Sequence, residues 1–324
     1  MDVAILGAGS WGSALSLVLS NNSHNVSIYH HKNNLNDLEN FKYLKDIKIP
    51  NNVIIKSNFD DIKKYEIIFI ALPTQFISQA LSKLKVDKKT LIVNCSKGFD
   101  IKNQNRLSVS IVNQLNISTD NFAVLSGPSH AEEVANKIPT AIVSSSVSKK
   151  TSLLVQKVLS NKYFRVYTNS DVAGVEIGGA CKNIIAIAAG ICIGLNYGDN
   201  TISALLSRGL KEIIRLGIKM GATEKTFYGL SGLGDLSVTA FSPFSRNRSF
   251  GIKLGQGIDF YRAQKEVKMI IEGVNATKIV YNLSEKYKIN MPIVNQVYSI
   301  LFDQKEPKLA INELMGRKLT NEII

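Results

Sequence analysis

The first half of the chain alternates short apolar runs with segments of helical spacing. Seven runs rich in Ile, Val and Leu fit buried strands: Val3–Leu6, Asn25–Tyr29, Glu66–Leu72, Thr90–Asn94, Phe122–Leu125, Thr140–Ser144 and Tyr163–Tyr167. Apolar runs separated by helical segments are typical of βαβ units, in which a mostly parallel sheet is buried between helices. Ligands of such sheets bind beyond the carboxyl ends of the strands, so we look for chemistry just after each run.

Near Asp171 the alternation stops and helical spacing takes over. The pattern predicts four helices: Asp171–Leu195, Ile202–Met220, Lys278–Lys288 and Met291–Phe302. A chain of 324 residues is too long for one ordinary core. We therefore predict an α/β domain over residues 1–170 and an all-α domain over residues 171–324, with a ligand cleft between them.

Composition narrows the class of protein. With 45% hydrophobic and 20% charged residues, the chain is typical of a soluble globular protein. Its net charge is +13, but only eight of the 39 basic residues are arginine and the lysines are scattered. This distribution favours a solvated surface and a small anionic substrate over nucleic acid.

The cysteines and the apolar stretches indicate the cellular compartment and whether the chain crosses a membrane. Cys95, Cys181 and Cys192 form no CxxC pair, which favours a reducing cytoplasm. We expect no signal peptide and no metal site. The longest apolar stretch, Asn183–Leu195, is too short to span a bilayer, so we expect a buried helix there and no integral membrane segment.

The sequence Gly7–Gly12 reads G-x-G-x-x-G between the first apolar run and a helix-prone segment. Glycine permits a sharp turn and close backbone approach, and a helix N-terminus favours a pyrophosphate. The alternative is a glycine turn between any strand and helix. A second strand about 20 residues on favours the dinucleotide site and a doubly wound fold of the Rossmann type.

His30, His31 and Lys32 follow the second apolar run, where a site selective for NAD usually carries an acid for the ribose 2′-hydroxyl. Basic residues there would tolerate a 2′-phosphate. We therefore expect NADPH/NADP, with NADH/NAD as the other usable pair. The alternative is that these residues lie on an exposed turn.

Two later strand ends carry candidate chemistry. Lys97 stands in Ser-Lys-Gly after the fourth apolar run, Thr90–Asn94, where it could contact a phosphate or the nicotinamide side of a cofactor. Gly127-Pro128-Ser129 is a turn into a helix that could receive an oxyanion. The alternatives are an ordinary surface lysine and a plain helix cap.

If the bound dinucleotide exchanges a hydride with an alcohol, the reaction needs an acid or base at the substrate oxygen, and histidine is the usual candidate. All four histidines precede residue 131. The candidate in the helical half is Lys182, a single cation among small apolar residues, where burial would favour its neutral form. The alternative is a lysine that extends to the surface.

Further on, Asp235 is the only acid in a glycine-rich segment, where it could hold a lysine ammonium or a substrate hydroxyl. Arg246 and Arg248 flank Asn247 and could clamp a dianion, because arginine binds phosphate in a forked geometry. Glu272 precedes a glycine at a predicted helix start. The alternative for each is a charged loop.

Taken together, these motifs resemble the NAD(P)-dependent glycerol-3-phosphate dehydrogenase family of bacterial type, over nearly the whole chain. They are GAGSWG at Gly7–Gly12, SKG at Ser96–Gly98, GPSHAEEVA at Gly127–Ala135, CKN at Cys181–Asn183, GLGDL at Gly232–Leu236, SRNRSFG at Ser245–Gly251 and EG at Glu272–Gly273. Departures are His31-Lys32 in place of arginines, the apolar stretch before SRN, and no Pro after Leu44.

The resemblance implies the site residues. Besides the turn glycines Gly7, Gly9 and Gly12, the cofactor would contact Ser10, Trp11, His31, Lys32, Tyr43, Lys97, Ala131, Arg246 and Glu272. The substrate would be lined by Lys97, Gly127, Ser129, Lys182, Asp235, Ser245, Arg246 and Asn247. Lys182 would accept the proton in alcohol oxidation and donate it in the reverse direction, with Asp235 orienting it.

The implied activity is interconversion of sn-glycerol 3-phosphate and dihydroxyacetone phosphate by a cytoplasmic homodimer that supplies phospholipid synthesis. Two alternatives stay open. A 2-hydroxyacid or sugar-acid dehydrogenase would share the nucleotide half and an active lysine, but the GLGDL and SRN segments disfavour it. A cofactor-binding regulator without activity is disfavoured by Lys182 and Asp235.

Overall fold

The structure is a computed structural model that describes residues 1–30, 40–44, 47–267 and 270–322. It divides into two compact units. The first comprises Met1–Ala180 and Met220–Asp235, and the second comprises Cys181–Lys219 and Leu236–Ile324. Residues on both sides of position 171 thus pack within the first unit, while the domain limits of 1–170 and 171–324 stay a prediction.

The first unit is built on an eight-stranded sheet. Its strands are β1 (Asp2–Leu6), β2 (Asn25–Tyr29), β3 (Val53–Lys56), β4 (Ile67–Ile70), β5 (Leu91–Asn94), β8 (Phe122–Ser126), β9 (Thr140–Ser145) and β10 (Phe164–Asn169). Across the sheet they follow the order β10-β9-β8-β5-β4-β1-β2-β3. A separate antiparallel hairpin joins β6 (Phe99–Asp100) to β7 (Asn105–Arg106). All neighbours in the large sheet pair in parallel, except β8 with β9.

Six of these strands, in the order β8-β5-β4-β1-β2-β3, have the doubly wound arrangement of dinucleotide-binding folds. The predicted α/β class is therefore confirmed. Both faces of the sheet are buried, which explains the continuous apolar runs: in β4, Ile67 and Phe69 belong to one core cluster and Ile68 and Ile70 to the other. The covering helices are α1 (Ser10–Asn21), α2 (Thr74–Leu81), α3 (Leu107–Leu115), α4 (Ala131–Ala135), α5 (Lys149–Leu159) and the first part of α6 (Val172–Gly194).

The second unit is helical, and no strand occurs among its described residues. After the second part of α6 it contains α7 (Asp199–Lys219), α8 (Asp235–Phe241), α9 (Arg246–Gly255), α10 (Phe260–Val267), α11 (Glu272–Tyr287), α12 (Pro292–Phe302) and α13 (Pro307–Met315). The four predicted helices are α6, α7, α11 and α12. Helix α11 begins at Glu272, where the sequence predicted a helix start, six residues before the predicted range Lys278–Lys288. Helices α8 to α10 and α13 were not predicted.

Helix α6 is longer than the apolar stretch that the sequence analysis singled out. The helix has 23 residues, and an 18-residue stretch of it has a mean hydropathy of 1.7, which would suffice for a membrane span. However, 89% of that 18-residue stretch is buried inside the protein. Within the second unit, a Cβ at Gly190 would overlap the Arg248 carbonyl oxygen, so α6 and α9 approach closely through glycine. The prediction of a buried helix is thus confirmed. The inference from length was wrong, because the whole helix is long enough to span a bilayer and its burial is what distinguishes it. The three cysteines are all buried and unpaired.

Candidate active site

The glycine turn joins β1 to α1, and two of its glycines are required by packing. Gly7 has φ of +114°, which side chains disfavour, and a Cβ there would overlap the Ala71 carbonyl oxygen. A Cβ at Gly12 would overlap the carbonyl oxygen of Gly7. These two glycines therefore allow the turn itself and the close approach of α1 to β1.

Gly9 differs, because the fold does not require it to lack a side chain. Its φ of −73° and ψ of 176° suit any residue, and an added Cβ would meet nothing within 4 Å in the described part of the chain. It lies at the start of α1, which has no acid in its first turn. Open space beside a helix N-terminus fits an anionic pyrophosphate, so the residues of this turn fit a dinucleotide cofactor.

Ser10 and Trp11 form the first turn of α1. The indole nitrogen of Trp11 is buried and has no hydrogen-bond partner among the residues that the structure describes. Ala131 is buried at the start of α4, and Tyr43 is 42% exposed.

His31 and Lys32 lie outside the described residues. The expectation of NADP use, which rests on them, stays a prediction.

Lys97 is held by two acceptors beyond the carboxyl ends of the strands. Its Nζ donates to Asp235 Oδ2 at 2.7 Å and to the Gly127 carbonyl oxygen at 2.9 Å. The Asp235 side chain is 1% exposed and that of Lys97 is 19% exposed. Lys97 is therefore not an ordinary surface lysine, and the carboxylate of Asp235 holds its ammonium.

The Gly127 turn also involves Ser129. Gly127 has φ of +140°, and the Ser129 hydroxyl donates to the Gly127 carbonyl oxygen at 2.9 Å. The residue that caps α4 is His130, without a side-chain cap bond. Ser129 is thus no plain helix cap: it shares the carbonyl of Gly127 with Lys97.

Asp235 follows a single π-helical turn, Leu230–Gly234, which the sequence analysis missed. The Gly234 amide donates to the Gly229 carbonyl oxygen at 3.1 Å, five residues back. Single π-turns are rare and frequently lie at functional sites. The signal in the sequence was the density of glycine in this segment, which we read only as close packing.

In the second unit, Lys182 is 6% exposed, so it does not extend to the surface. Its Nζ donates to Thr239 Oγ1 at 2.7 Å. Thr239 on α8 was missed by the sequence analysis, although it lies one helical turn after Asp235. The orienting role predicted for Asp235 stays a prediction.

Asn247 links three helices of the second unit through its amide. Its Nδ2 donates to Asn183 Oδ1 at 3.0 Å, and its Oδ1 accepts from the Gly273 amide at 2.9 Å. Gly273 follows Glu272, the first residue of α11, and a Cβ on it would lie 2.6 Å from Asn247 Oδ1. Glycine at this position therefore allows α6, α9 and α11 to converge.

Ser245 caps α9, accepting from the Arg248 amide at 3.2 Å. Arg246 is exposed and donates to the Ile270 carbonyl oxygen at 3.2 Å, whereas Arg248 is half-buried. Residues two apart on a helix face different directions, so these two arginines do not form one fork. Arg246 remains the candidate for an anionic ligand.

Three features define the class of protein as a dinucleotide-dependent oxidoreductase. They are a doubly wound sheet, a glycine turn with room for a pyrophosphate, and two hydrogen-bonded lysines, of which Lys182 is buried and Lys97 half-buried. Models of the NAD-dependent glycerol-3-phosphate dehydrogenase N-terminus and C-terminus match residues 2–152 and 171–312. The chain belongs to the NAD-dependent glycerol-3-phosphate dehydrogenase family.

Relatives of similar length support this assignment. A glycerol-3-phosphate dehydrogenase [NAD(P)+] of Clostridium botulinum is 44% identical over 99% of both chains. One of Lysinibacillus sphaericus is 45% identical over 99% of this chain and 98% of its own. The crystal structure of glycerol-3-phosphate dehydrogenase from Coxiella burnetii has a TM-score of 0.93 at 36% identity and covers 98% of this chain and 99% of its own.

Proposed function

We propose that this protein interconverts sn-glycerol 3-phosphate and dihydroxyacetone phosphate by hydride transfer with NAD(P)H. The observation that carries the proposal is Lys182, a buried lysine whose Nζ is held by Thr239 within a chain of this family. Relatives that carry this activity in their names match the chain from end to end.

The cofactor supplies or accepts the hydride. We propose that the amino end of α1 binds its pyrophosphate at Gly9, while Gly7 and Gly12 shape the turn. The remaining cofactor contacts that we propose are Ser10, Trp11, His31, Lys32, Tyr43, Lys97, Ala131, Arg246 and Glu272.

Lys182 is the proposed acid/base. As the neutral amine it takes the proton from the carbinol oxygen while the hydride leaves for the cofactor during oxidation. As the resulting ammonium it returns that proton to the carbonyl oxygen during reduction. Thr239 fixes its Nζ. The ammonium of Lys97, held by Asp235, faces the cofactor and the substrate in this scheme. The substrate set we propose is Lys97, Gly127, Ser129, Lys182, Asp235, Ser245, Arg246 and Asn247.

We propose reduction as the cellular direction, which supplies the glycerol backbone of phospholipids. A preference for NADP is supported by the basic residues that follow β2 in the sequence. Buried, unpaired cysteines fit a reducing cytoplasm. The homodimer rests on the family resemblance.

One assay tests the activity. Purified protein is mixed with NADPH and dihydroxyacetone phosphate, and the absorbance of the reduced cofactor is followed, with NADH in parallel. We expect oxidation that depends on the substrate. A 2-oxo acid without a phosphate serves as the control, because its turnover would favour the rival dehydrogenase class. If neither cofactor is oxidised by dihydroxyacetone phosphate, the proposed activity is wrong.

A further inference from the structure

Two consecutive glycines, Gly178 and Gly179, lie within α6 in the first unit. Glycine is a poor helix former, so a pair inside a helix calls for a reason. A Cβ at Gly178 would lie 2.6 Å from the Ser231 carbonyl oxygen and 3.4 Å from Gly232 Cα. A side chain at this position would therefore displace the π-helical turn.

The contacts of Gly179 are different. A Cβ there would lie 2.7 Å from Ser126 Oγ, and Lys97 Cγ and Cδ would lie at 3.7 and 3.9 Å. The Lys97 stem thus passes over Gly179 beside the hydroxyl of Ser126. A methyl group at Gly179 would press first on Ser126, whose neighbour Gly127 accepts a hydrogen bond from Lys97.

The two glycines contact the segments that carry the two partners of one ion pair, Lys97 and Asp235. Gly179 packs beside the stem of Lys97, and Gly178 packs on the turn that ends at Asp235. Because an α-helix has fixed geometry, adjacent positions on α6 set the separation of the two surfaces that they contact. The glycine pair is therefore a spacer between the elements that carry Lys97 and Asp235.

Ser126 contributes by its size. The residue is 4% exposed, and its Oγ has no hydrogen-bond partner within the described ranges. Replacing it with alanine breaks no hydrogen bond seen in the structure and removes the atom that a Cβ at Gly179 would strike. Ser126 and Gly179 are thus a size-matched pair.

We propose that Gly178 and Gly179 are positioning residues that set the geometry of the Lys97–Asp235 ion pair for hydride transfer. The proposal rests on the proposed function, in which Lys97 faces the cofactor and the substrate. It also assigns Ser126 as the steric partner of Gly179. The three residues act through Lys97 and Asp235 and not by contact with the substrate.

The test is Gly179→Ala, with kcat and KM measured on protein whose folding is verified by circular dichroism. We expect kcat to fall by about tenfold to a hundredfold, as for a catalytic group displaced by a fraction of an ångström. The Kd of NADPH, read from Trp11 fluorescence, should rise by a much smaller factor than kcat falls, because the glycine turn proposed to bind the pyrophosphate is untouched. Gly198→Ala is the control, since a Cβ there meets nothing within 4 Å of the described residues.

The double variant Gly179→Ala/Ser126→Ala should recover most of the lost kcat, because the struck atom is gone. The proposal would be overturned if Gly179→Ala kept the wild-type kcat, whether or not its Tm fell. It would also be overturned if the double variant recovered none of the lost kcat. If Gly179→Ala does not fold, Ser126→Thr adds a methyl group at the same contact from the strand side, and kcat should again fall. A wild-type protein that is silent in the assay would instead refute the proposed function.

Discussion

At the scale of single residues, the three glycines of the first turn have separable tasks. Gly7 and Gly12 are needed by the fold, because a side chain on either would overlap backbone atoms. Gly9 is needed only if a ligand approaches it. The sequence shows the same residue at all three positions of the G-x-G-x-x-G pattern, and only the packing around them distinguishes their tasks.

Gly9→Ala should therefore impair cofactor binding without harming the fold. We expect its Tm to stay within a few degrees of the wild type and the Kd of NADPH to rise at least tenfold, because the new methyl group occupies the space for the pyrophosphate. Titration with NADPH, followed by the fluorescence of Trp11, the single tryptophan, measures this. Gly12→Ala is the contrasting variant and should lose stability. Unchanged NADPH affinity in Gly9→Ala would exclude the turn as the pyrophosphate site.

Lys182 is a second residue with a sharp expectation. Lys182→Met keeps much of the aliphatic stem and removes the amino group, so kcat should fall by roughly 10²–10⁴-fold, the usual contribution of an acid/base group. NADPH binding should persist, because the glycine turn is unchanged. Stopped assays at high enzyme concentration, with circular dichroism as the folding control, measure the residual rate. A variant that retains near-full turnover would show that the proton is handled elsewhere.

At the scale of elements, the amino end of α12 is held by a buried carboxylate. Glu212 on α7 is 2% exposed and accepts from the amides of Ile293 and Val294 at 2.8 and 3.1 Å. These amides are among the donors that a helix leaves unpaired in its first turn. Burial raises the pKa of Glu212 to about 7, against the opposing effect of the two amides.

This pKa predicts a dependence of stability on pH. An unfolded glutamate ionises near pH 4.5, whereas Glu212 in the fold ionises near 7. Its contribution to stability is therefore fully present below pH 4.5 and is lost as pH rises to 7, by about 3 kcal/mol at most. In Glu212→Gln the side chain at position 212 does not titrate, so the substitution changes the free energy of unfolding by an amount that does not vary with pH. The wild type should lose stability relative to Glu212→Gln between pH 5 and pH 8 in urea unfolding. A difference that is flat with pH would contradict the raised pKa.

Elements with a strong apolar pattern could be predicted from the sequence, and the others could not. In β4, all four residues are buried, so the run stands out. Strand β3 lies at the sheet edge with one fully buried residue of four, and only three of the ten residues of α9 are large apolar ones. Such elements form because neighbours in the fold complete them, which local spacing does not record.

At the scale of the whole molecule, the excess of 39 basic over 26 acidic residues creates a positive field around the protein. This field should concentrate an anionic substrate, and salt should screen it over about 10 Å at 0.1 M. We therefore expect the KM for dihydroxyacetone phosphate to rise severalfold between low and physiological NaCl concentrations, with kcat nearly constant. Initial rates across a NaCl series measure this. A KM that is independent of salt would assign the net charge to solubility alone.

The sequence by itself determined the alternation of apolar strands and helices in the first half of the chain, the glycine turn and the family, because these depend on residues close together in the chain. It also singled out Lys97, Lys182 and Asp235 as candidates. Only the tertiary structure decided their partners: Asp235 is 138 positions from Lys97, and Thr239 is 57 from Lys182. Contacts between such distant segments arise when the chain packs, so no local pattern records them.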